Sequence, residues 1–164
     1  MDFAKPQKYS SILTTKEQVS SKVYKTVYTL TSPSELSFVA GQTVMLFCGP
    51  GVNRSMTIAS PPQEKNAITI FQDVSPMGLG SQWLLARSVG DTVDFIAPLG
   101  RFVLDLDSQR KKVFVGTGTG IAPFRSMVLD QSGNWKLTGD VALYWGLRHE
   151  EDQFLIDEFK TFSH

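Results

Sequence analysis

Cysteine is nearly absent from this chain. Cys48 is the only one in 164 residues, so an internal disulfide is excluded and no cysteine-based metal site can be assembled from it. The thiol lies in the run Val44-Met45-Leu46-Phe47-Cys48 and reads as a small buried core residue. Histidine is scarce too. With only His149 and His164, a histidine-rich metal site is excluded, and no metal is expected. Net charge is also missing: 16 basic residues face 16 acidic ones. No global positive field is available for nucleic acid, and the longest basic run is Arg110-Lys111-Lys112. No apolar run approaches the roughly 20 residues of a membrane span. Met1-Asp2-Phe3-Ala4-Lys5-Pro6 lacks the apolar stretch of a signal peptide. The expectation is a soluble protein of the cytoplasm or of an organelle interior. Internal repeats and low-complexity segments are absent as well.

What is present falls into two textures. Residues 8 to 105 read as β. The segment Val23 to Leu30 is rich in β-branched and aromatic residues. Val44 to Phe47, Ser55 to Ile58, Ala67 to Phe71, Thr92 to Ile96 and Phe102 to Leu104 are further short strands. Glycine, proline, asparagine and aspartate punctuate them, which predicts a sandwich or barrel. One helix interrupts, from Ser81 as N-cap to about Arg87. After Asp107 to Lys112 the pattern changes. Strand Val113 to Val115 leads through a glycine-rich turn into a helix of about Pro123 to Asp130. A polar link, Gln131 to Gly139, precedes the strand Val141 to Gly146 and a helix of about Glu150 to Lys160. This β-α-β-α order predicts a parallel sheet. Two strands are few for a doubly wound nucleotide domain, which has about five or six. The expected organisation is therefore a barrel domain over 1–108 and the incomplete start of an α/β nucleotide domain over 109–164, in a chain that is a fragment.

Four motifs carry chemistry. In Gly116-Thr117-Gly118-Thr119-Gly120-Ile121-Ala122-Pro123, backbone N–H groups can gather around a phosphate at a helix N-terminus. Gly118 and Gly120 lack a Cβ and allow close approach, and Pro123 suits a first helical turn. The common dinucleotide fingerprint needs a glycine where Pro123 stands. In Arg54-Ser55-Met56-Thr57, Arg54 and Met56 share one face of a strand. Arginine can grip a pyrophosphate in forked geometry. Thr57 points to the opposite face or contributes through its backbone. Gly78-Leu79-Gly80-Ser81 opens a helix and offers N–H groups again. Gly90 to Phe102, with Phe38 to Val44, forms turns and strands. Each motif taken alone is also met as a plain turn, cap or exposed strand; their order is the specific signal.

That ordered set resembles the ferredoxin–NADP reductase family over nearly the whole chain. The resemblance implies a six-stranded antiparallel Greek-key β-barrel with one helix, followed by a partial α/β parallel-sheet nucleotide domain. It implies that FAD binds through Arg54, Ser55, Met56 and Thr57 and through Gly78, Leu79, Gly80 and Ser81. Arg54 would meet the pyrophosphate, Met56 would pack on the flavin, and Thr57 would approach flavin N5 as the catalytic residue. Gly118, Thr119, Gly120 and Pro123 would hold NAD(P)H, and Tyr144 to Arg148 resembles the family's next strand and loop. Met56 stands where the family has tyrosine, which leaves FAD or FMN open. The reaction implied is hydride transfer from NAD(P)H to flavin, then electron passage to an acceptor, with a protein among the candidates. A flavin-binding electron-transfer module without its own nicotinamide site, and a non-catalytic fragment, are the alternatives. Outside these motifs Asp91, Asp94, Asp105 and Asp107 read as turn and strand-edge residues, Glu150 to Asp152 as helix N-terminal charge, His149 as surface, and Trp83, Trp135 and Trp145 as packing.

Overall fold

The structure is a computed structural model that describes residues 3–105, 110–132 and 141–162. Six strands form one antiparallel sheet: β1 (Gln7–Gln18), β2 (Val23–Ser32), β3 (Thr43–Phe47), β4 (Asn53–Thr57), β5 (Ala67–Asp73) and β6 (Thr92–Leu99), in the order β4-β3-β6-β1-β2-β5. The sheet curls so that its two edges meet. Just past β4, the Ala59 N–H donates to the Thr69 carbonyl of β5 at 2.8 Å, and the Thr69 N–H donates to Ser60 Oγ at 3.1 Å. The result is a nearly closed barrel, and closure removes the open edges that a flat sheet would present. Its interior is filled by side chains alternating inward, among them Leu13, Tyr28, Val44, Leu46, Ile68, Ile70 and Phe95.

Strand β1 is the longest and is not among the strands singled out from the sequence. Its inward positions include Ser11, whose buried hydroxyl donates to the Val93 carbonyl at 2.7 Å, so polar residues blur the two-residue period. The strand expected over Phe102 to Leu104 does not form. Gly100 turns the chain at φ +81°, and the Val103 N–H closes on the Arg101 carbonyl at 3.0 Å. The helix expected from Ser81 is α1 (Leu79–Leu85), capped by Gly78 instead. Its first hydrogen bond is from the Gln82 N–H to the Gly78 carbonyl, at 3.0 Å, which places the buried Ser81 inside the helix.

Strands β7 (Lys112–Thr117) and β8 (Val141–Gly146) pair in parallel. Between them run a 3-10 turn, Gly118–Ile121, and α2 (Ala122–Ser132). The helix expected over Glu150 to Lys160 is split into a 3-10 turn, Glu150–Asp152, an extended link, and α3 (Ile156–Lys160). Tertiary contacts break it. Asp152 is buried against Lys22 of the barrel, with Nζ–Oδ2 at 2.6 Å. It is therefore an ion-pair partner and not a solvated helix-end charge. Phe154 wedges between Phe71 and Trp145, its ring centroid 5.1 Å from each.

The second half packs on the outside of the barrel. One apolar cluster combines Val23, Ala40, Ala59 and Phe71 with Phe114, Ile121, Phe124, Met127 and Leu155. Gly41 lies at this seam, at φ +98°, and a Cβ there would strike the Phe102 carbonyl oxygen and come within 2.5 Å of the Met127 side chain. The opposite face of the two-stranded sheet is bare: Val115 is 69% and Tyr144 64% exposed. The 108/109 boundary, Asp107, Trp135, His164 and most of the Gln131 to Gly139 link lie outside the described residues. Cys48 is buried, as its apolar setting predicts, and burial pushes its thiol above the usual range. No described helix is long and apolar enough to cross a membrane.

Candidate functional site

β4 sits at one edge of the sheet, paired to β3 with Arg54 opposite Leu46 and Met56 opposite Val44. Both partners are fully buried, so this is the barrel's inner side. Arg54 and Met56 are accordingly half-buried, while Ser55 on the other side is exposed. Met56 packs against the barrel core. Thr57 ends the strand half-buried.

The Arg54 side chain does not run into solvent. It lies across the first turn of α1. A Cβ built on Gly80 would sit 2.9 Å from Arg54 Cγ, 3.0 Å from Nε and 3.2 Å from Cδ. The arginine and the glycine-serine segment, far apart in sequence, are thus one surface. Its guanidinium also donates to the neighbouring Asn53 carbonyl at 2.8 Å and lies close enough to Cys48 to oppose the effect of burial on that thiol. The N–H groups before Gln82 fall outside the helical ladder of α1, which leaves donors beside the cation. Gly78 and Leu79 are exposed there, and Gly80 and Ser81 are buried. Met77, at φ 48°, introduces this turn.

Beneath Gly80 lies a residue that the sequence pattern does not reveal. Gln72 is on the inward face of β5, only 4% exposed, and its Nε2 donates to the Gly80 carbonyl at 3.0 Å. Its Oε1 is buried with no hydrogen-bond partner among the described residues. The signal in the sequence is faint: a glutamine two places after Ile70 at an inward position of an apolar strand.

The glycine turn after β7 forms a second locus. Gly118 adopts φ +51°, and Gly118 to Ile121 wind into a 3-10 turn whose first N–H groups have no acceptor within it. Trp145 Nε1 donates to the Gly118 carbonyl at 2.9 Å, which fixes the turn from behind. Gly116 allows Phe124 and Gly120 to close in, both about 3 Å from where a Cβ would be. Thr119 is half-buried, Gly120 exposed and Pro123 buried. The turn lies against β5. Among the described residues no cluster of three or more His, Cys, Asp and Glu side chains is placed to hold a metal ion.

Residues 10–104 match the family described as the oxidoreductase FAD-binding domain, and residues 114–164 match the oxidoreductase NAD-binding domain. A reductase component of terephthalate 1,2-dioxygenase from Comamonas is 36% identical over 118 residues, covering 72% of this chain and 35% of the relative. Methane monooxygenase component C of Methylosinus trichosporium is 33% identical over 153 residues, covering 90% of this chain and 44% of the relative. Among solved structures, an Amycolatopsis cytochrome P450 reductase superposes with a TM-score of 0.85 at 24% identity, over 95% of this chain and 48% of that one. Phthalate dioxygenase reductase superposes at 0.82 and 24% identity, over 93% and 48%. These superpositions establish the fold. The chain spans less than half the length of each of these four proteins.

Proposed function

The chain belongs to the oxidoreductase FAD-binding-domain family, and we propose that it is the flavin- and nicotinamide-handling part of a reductase that feeds electrons to a separate acceptor. The observation that carries this reading is the packing of Arg54 on Gly80. Only a residue without a Cβ leaves room for the arginine stem, and the two together present a cation beside unpaired N–H groups. That is the donor set a pyrophosphate needs. The match of residues 10–104 to an FAD-binding domain favours FAD over a mononucleotide.

In this reading Arg54 grips the pyrophosphate and the start of α1 completes the cradle. Gln72 holds Gly80 from below. Met56 lies beside Arg54 on the same face of β4, in the place of the family's tyrosine, and Thr57 offers Oγ1 at the strand's end as the catalytic contact. Gly118, Thr119 and Gly120, with Pro123 behind them, hold the phosphates of NAD(P)H. Bound FAD supplies two-electron acceptance from the nicotinamide and release of electrons one at a time. The protein's share is to bring two rings together and keep water away. An oxygenase or ferredoxin-type protein is the acceptor class that the named relatives suggest, in a soluble compartment.

The test is titration of the chain with FAD, followed by absorbance under anaerobic NADH and NADPH. Binding of one FAD, weakened about 10- to 150-fold by Arg54→Ala, supports the reading, since a hydrogen bond to a charged group contributes about 1.5–3 kcal/mol. Unchanged affinity in that variant would remove it. The bare face carrying Val115 and Tyr144 favours a second reading, a flavin module whose nicotinamide is handled by a partner. A stable flavin spectrum in the presence of either nucleotide would decide for it.

A further inference from the structure

We propose that Arg125 is a positioning residue that sets the spacing between the two cofactor loops; this rests on the two-cofactor reading above. Arg125 lies on α2, five residues after Gly120. Its guanidinium joins three parts of the molecule. Nε and Nη2 donate to the two carboxylate oxygens of Glu158 on α3, at 2.8 and 2.7 Å, a forked pair. Nη1 donates to the Ala59 carbonyl at 2.8 Å. The Phe71 ring of β5 lies against it, 5.8 Å from centroid to Cζ. One residue on, Ser126 Oγ donates to the Ser60 carbonyl at 2.7 Å.

The position of the anchor points is what matters. Ala59 and Ser60 follow Thr57 at the exit of β4, and the same two residues close the barrel onto Thr69. On the other side, only three helical residues, Ala122 to Phe124, at about 1.5 Å of rise each, separate Arg125 from the end of the glycine turn at Ile121. The path from one loop to the other is therefore short, and much of it is regular secondary structure. The Arg125 side chain is 15% exposed, so the forked pair is largely shielded from solvent screening. A lysine offers one point charge and cannot reach the carboxylate and the carbonyl in this fork. A displacement of about 1 Å between reacting groups can cost about 100-fold in rate.

The experiment compares the 164-residue chain with Arg125→Lys and with the reversed pair Arg125→Glu/Glu158→Arg. In the unloaded chain, amide exchange in α2 and at residues 58–60 should quicken by about tenfold in Arg125→Lys, while β1, β2 and β6 keep their rates. With FAD bound, FAD affinity should stay within about twofold, whereas the limiting rate of bleaching by NADH should fall by about 10- to 100-fold at an unchanged NADH half-saturation. A residue that merely stabilised the fold would not move the limiting rate alone. The reversed pair restores the bridge to α3 without the Ala59 bond, so it should remain slow. Full recovery of the rate in the reversed pair, or wild-type exchange in Arg125→Lys, overturns the proposal. If the parent chain binds no FAD, the functional reading falls, and the exchange arm still decides the role of Arg125 in joining α2 to the β4 exit.

Discussion

Gly80→Ala separates flavin binding from folding. A methyl group at residue 80 would lie 2.9 to 3.2 Å from three atoms of the Arg54 stem, against an ordinary contact of about 3.5–4.0 Å. Either the helix or the arginine must give. The arginine is half-buried on an edge strand and has four side-chain torsions, so it moves. Stability should not suffer, because alanine inside a helix is favoured over glycine by about 0.5–1 kcal/mol. Flavin affinity should suffer, because a swung-out Arg54 no longer faces the pyrophosphate. At about 1.5–3 kcal/mol for a charged hydrogen bond, the dissociation constant for FAD should rise about 10- to 150-fold.

The control is two residues away. Gly78 has φ −71°, which any residue adopts, and nothing lies within 4 Å of a Cβ there. Gly78→Ala should bind FAD within about twofold of wild type, since it leaves Arg54 and the backbone N–H groups in place; the cost of alanine at an N-cap, about 1 kcal/mol, should appear in stability instead. Fluorescence quenching of FAD on titration reads affinity, and thermal unfolding of the unloaded chain reads stability. Because Gly80→Ala acts through Arg54, the double variant with Arg54→Ala should be no weaker than Arg54→Ala alone. Wild-type affinity in Gly80→Ala, equal damage in Gly78→Ala, or full additivity with Arg54→Ala would each refute the reasoning.

Three further outcomes are expected. Tyr28→Phe should raise stability by about 1 kcal/mol, because the buried Tyr28 hydroxyl has no hydrogen-bond partner among the described residues. Burial pushes this phenol from 10.0 up to about 12, so its neutral form is favoured in the fold; the associated stability is present below pH 10.0 and lost as pH rises toward about 12, and urea midpoints at pH 7 and pH 11 should show that loss in wild type and less of it in Tyr28→Phe. The hydrogen bond from Lys22 holds the Asp152 carboxyl below its usual 3.8, so that pair stabilises the fold above about pH 4 and fades as pH falls; Asp152→Asn should be less stable than wild type at pH 7, and the two should converge in acid-titration melts. Residues 111–164 made alone should show no cooperative unfolding by circular dichroism, since Phe114, Phe124 and Met127 bury themselves against Val23, Ala40, Ala59 and Phe71 of the barrel.

The sequence made legible what depends on local chemistry. The parallel order β7-α2-β8 follows from apolar runs separated by a glycine turn, and β8 spans the residues read as a strand, Val141–Gly146. The motif order, through the family resemblance, put Arg54 and Gly80 in one expected set before any contact joined them. What could not be read is long-range. Gln72 and Gly80, Trp145 and Gly118, and Arg125 and Ala59 meet only when strands and helices have docked. The same holds for the errors. Local pattern continues a helix from Glu150 to Lys160, and it is the pull of Lys22 on Asp152 and of Phe71 on Phe154 that breaks it. Ser81 looks like a cap until the bond from Gln82 to Gly78 shows that the helix has already begun.

β5 explains why the two halves are not equivalent. Its inward residues Ile68 and Ile70 belong to the barrel interior, a cluster built wholly from residues 9–97. Its outward Phe71 belongs to the second cluster, where it meets α2, Phe154 and the Arg125 guanidinium. The barrel therefore owns one core outright and lends half of another. Among the described residues the second half owns none: one face of its two-stranded sheet is bare, and the other packs on α2, with Phe114 stacked on Phe124, in the cluster shared with the barrel. An element in that position has no independent geometry; where it sits is set by Phe71, Ala59 and Ser60. Those residues are neighbours of the strand that carries Arg54 and Thr57. The placement of the glycine turn relative to the proposed flavin site is thus a consequence of how the second core closes. A substitution at that seam should change core stability and cofactor alignment together, whereas one at Gly80 should change affinity alone.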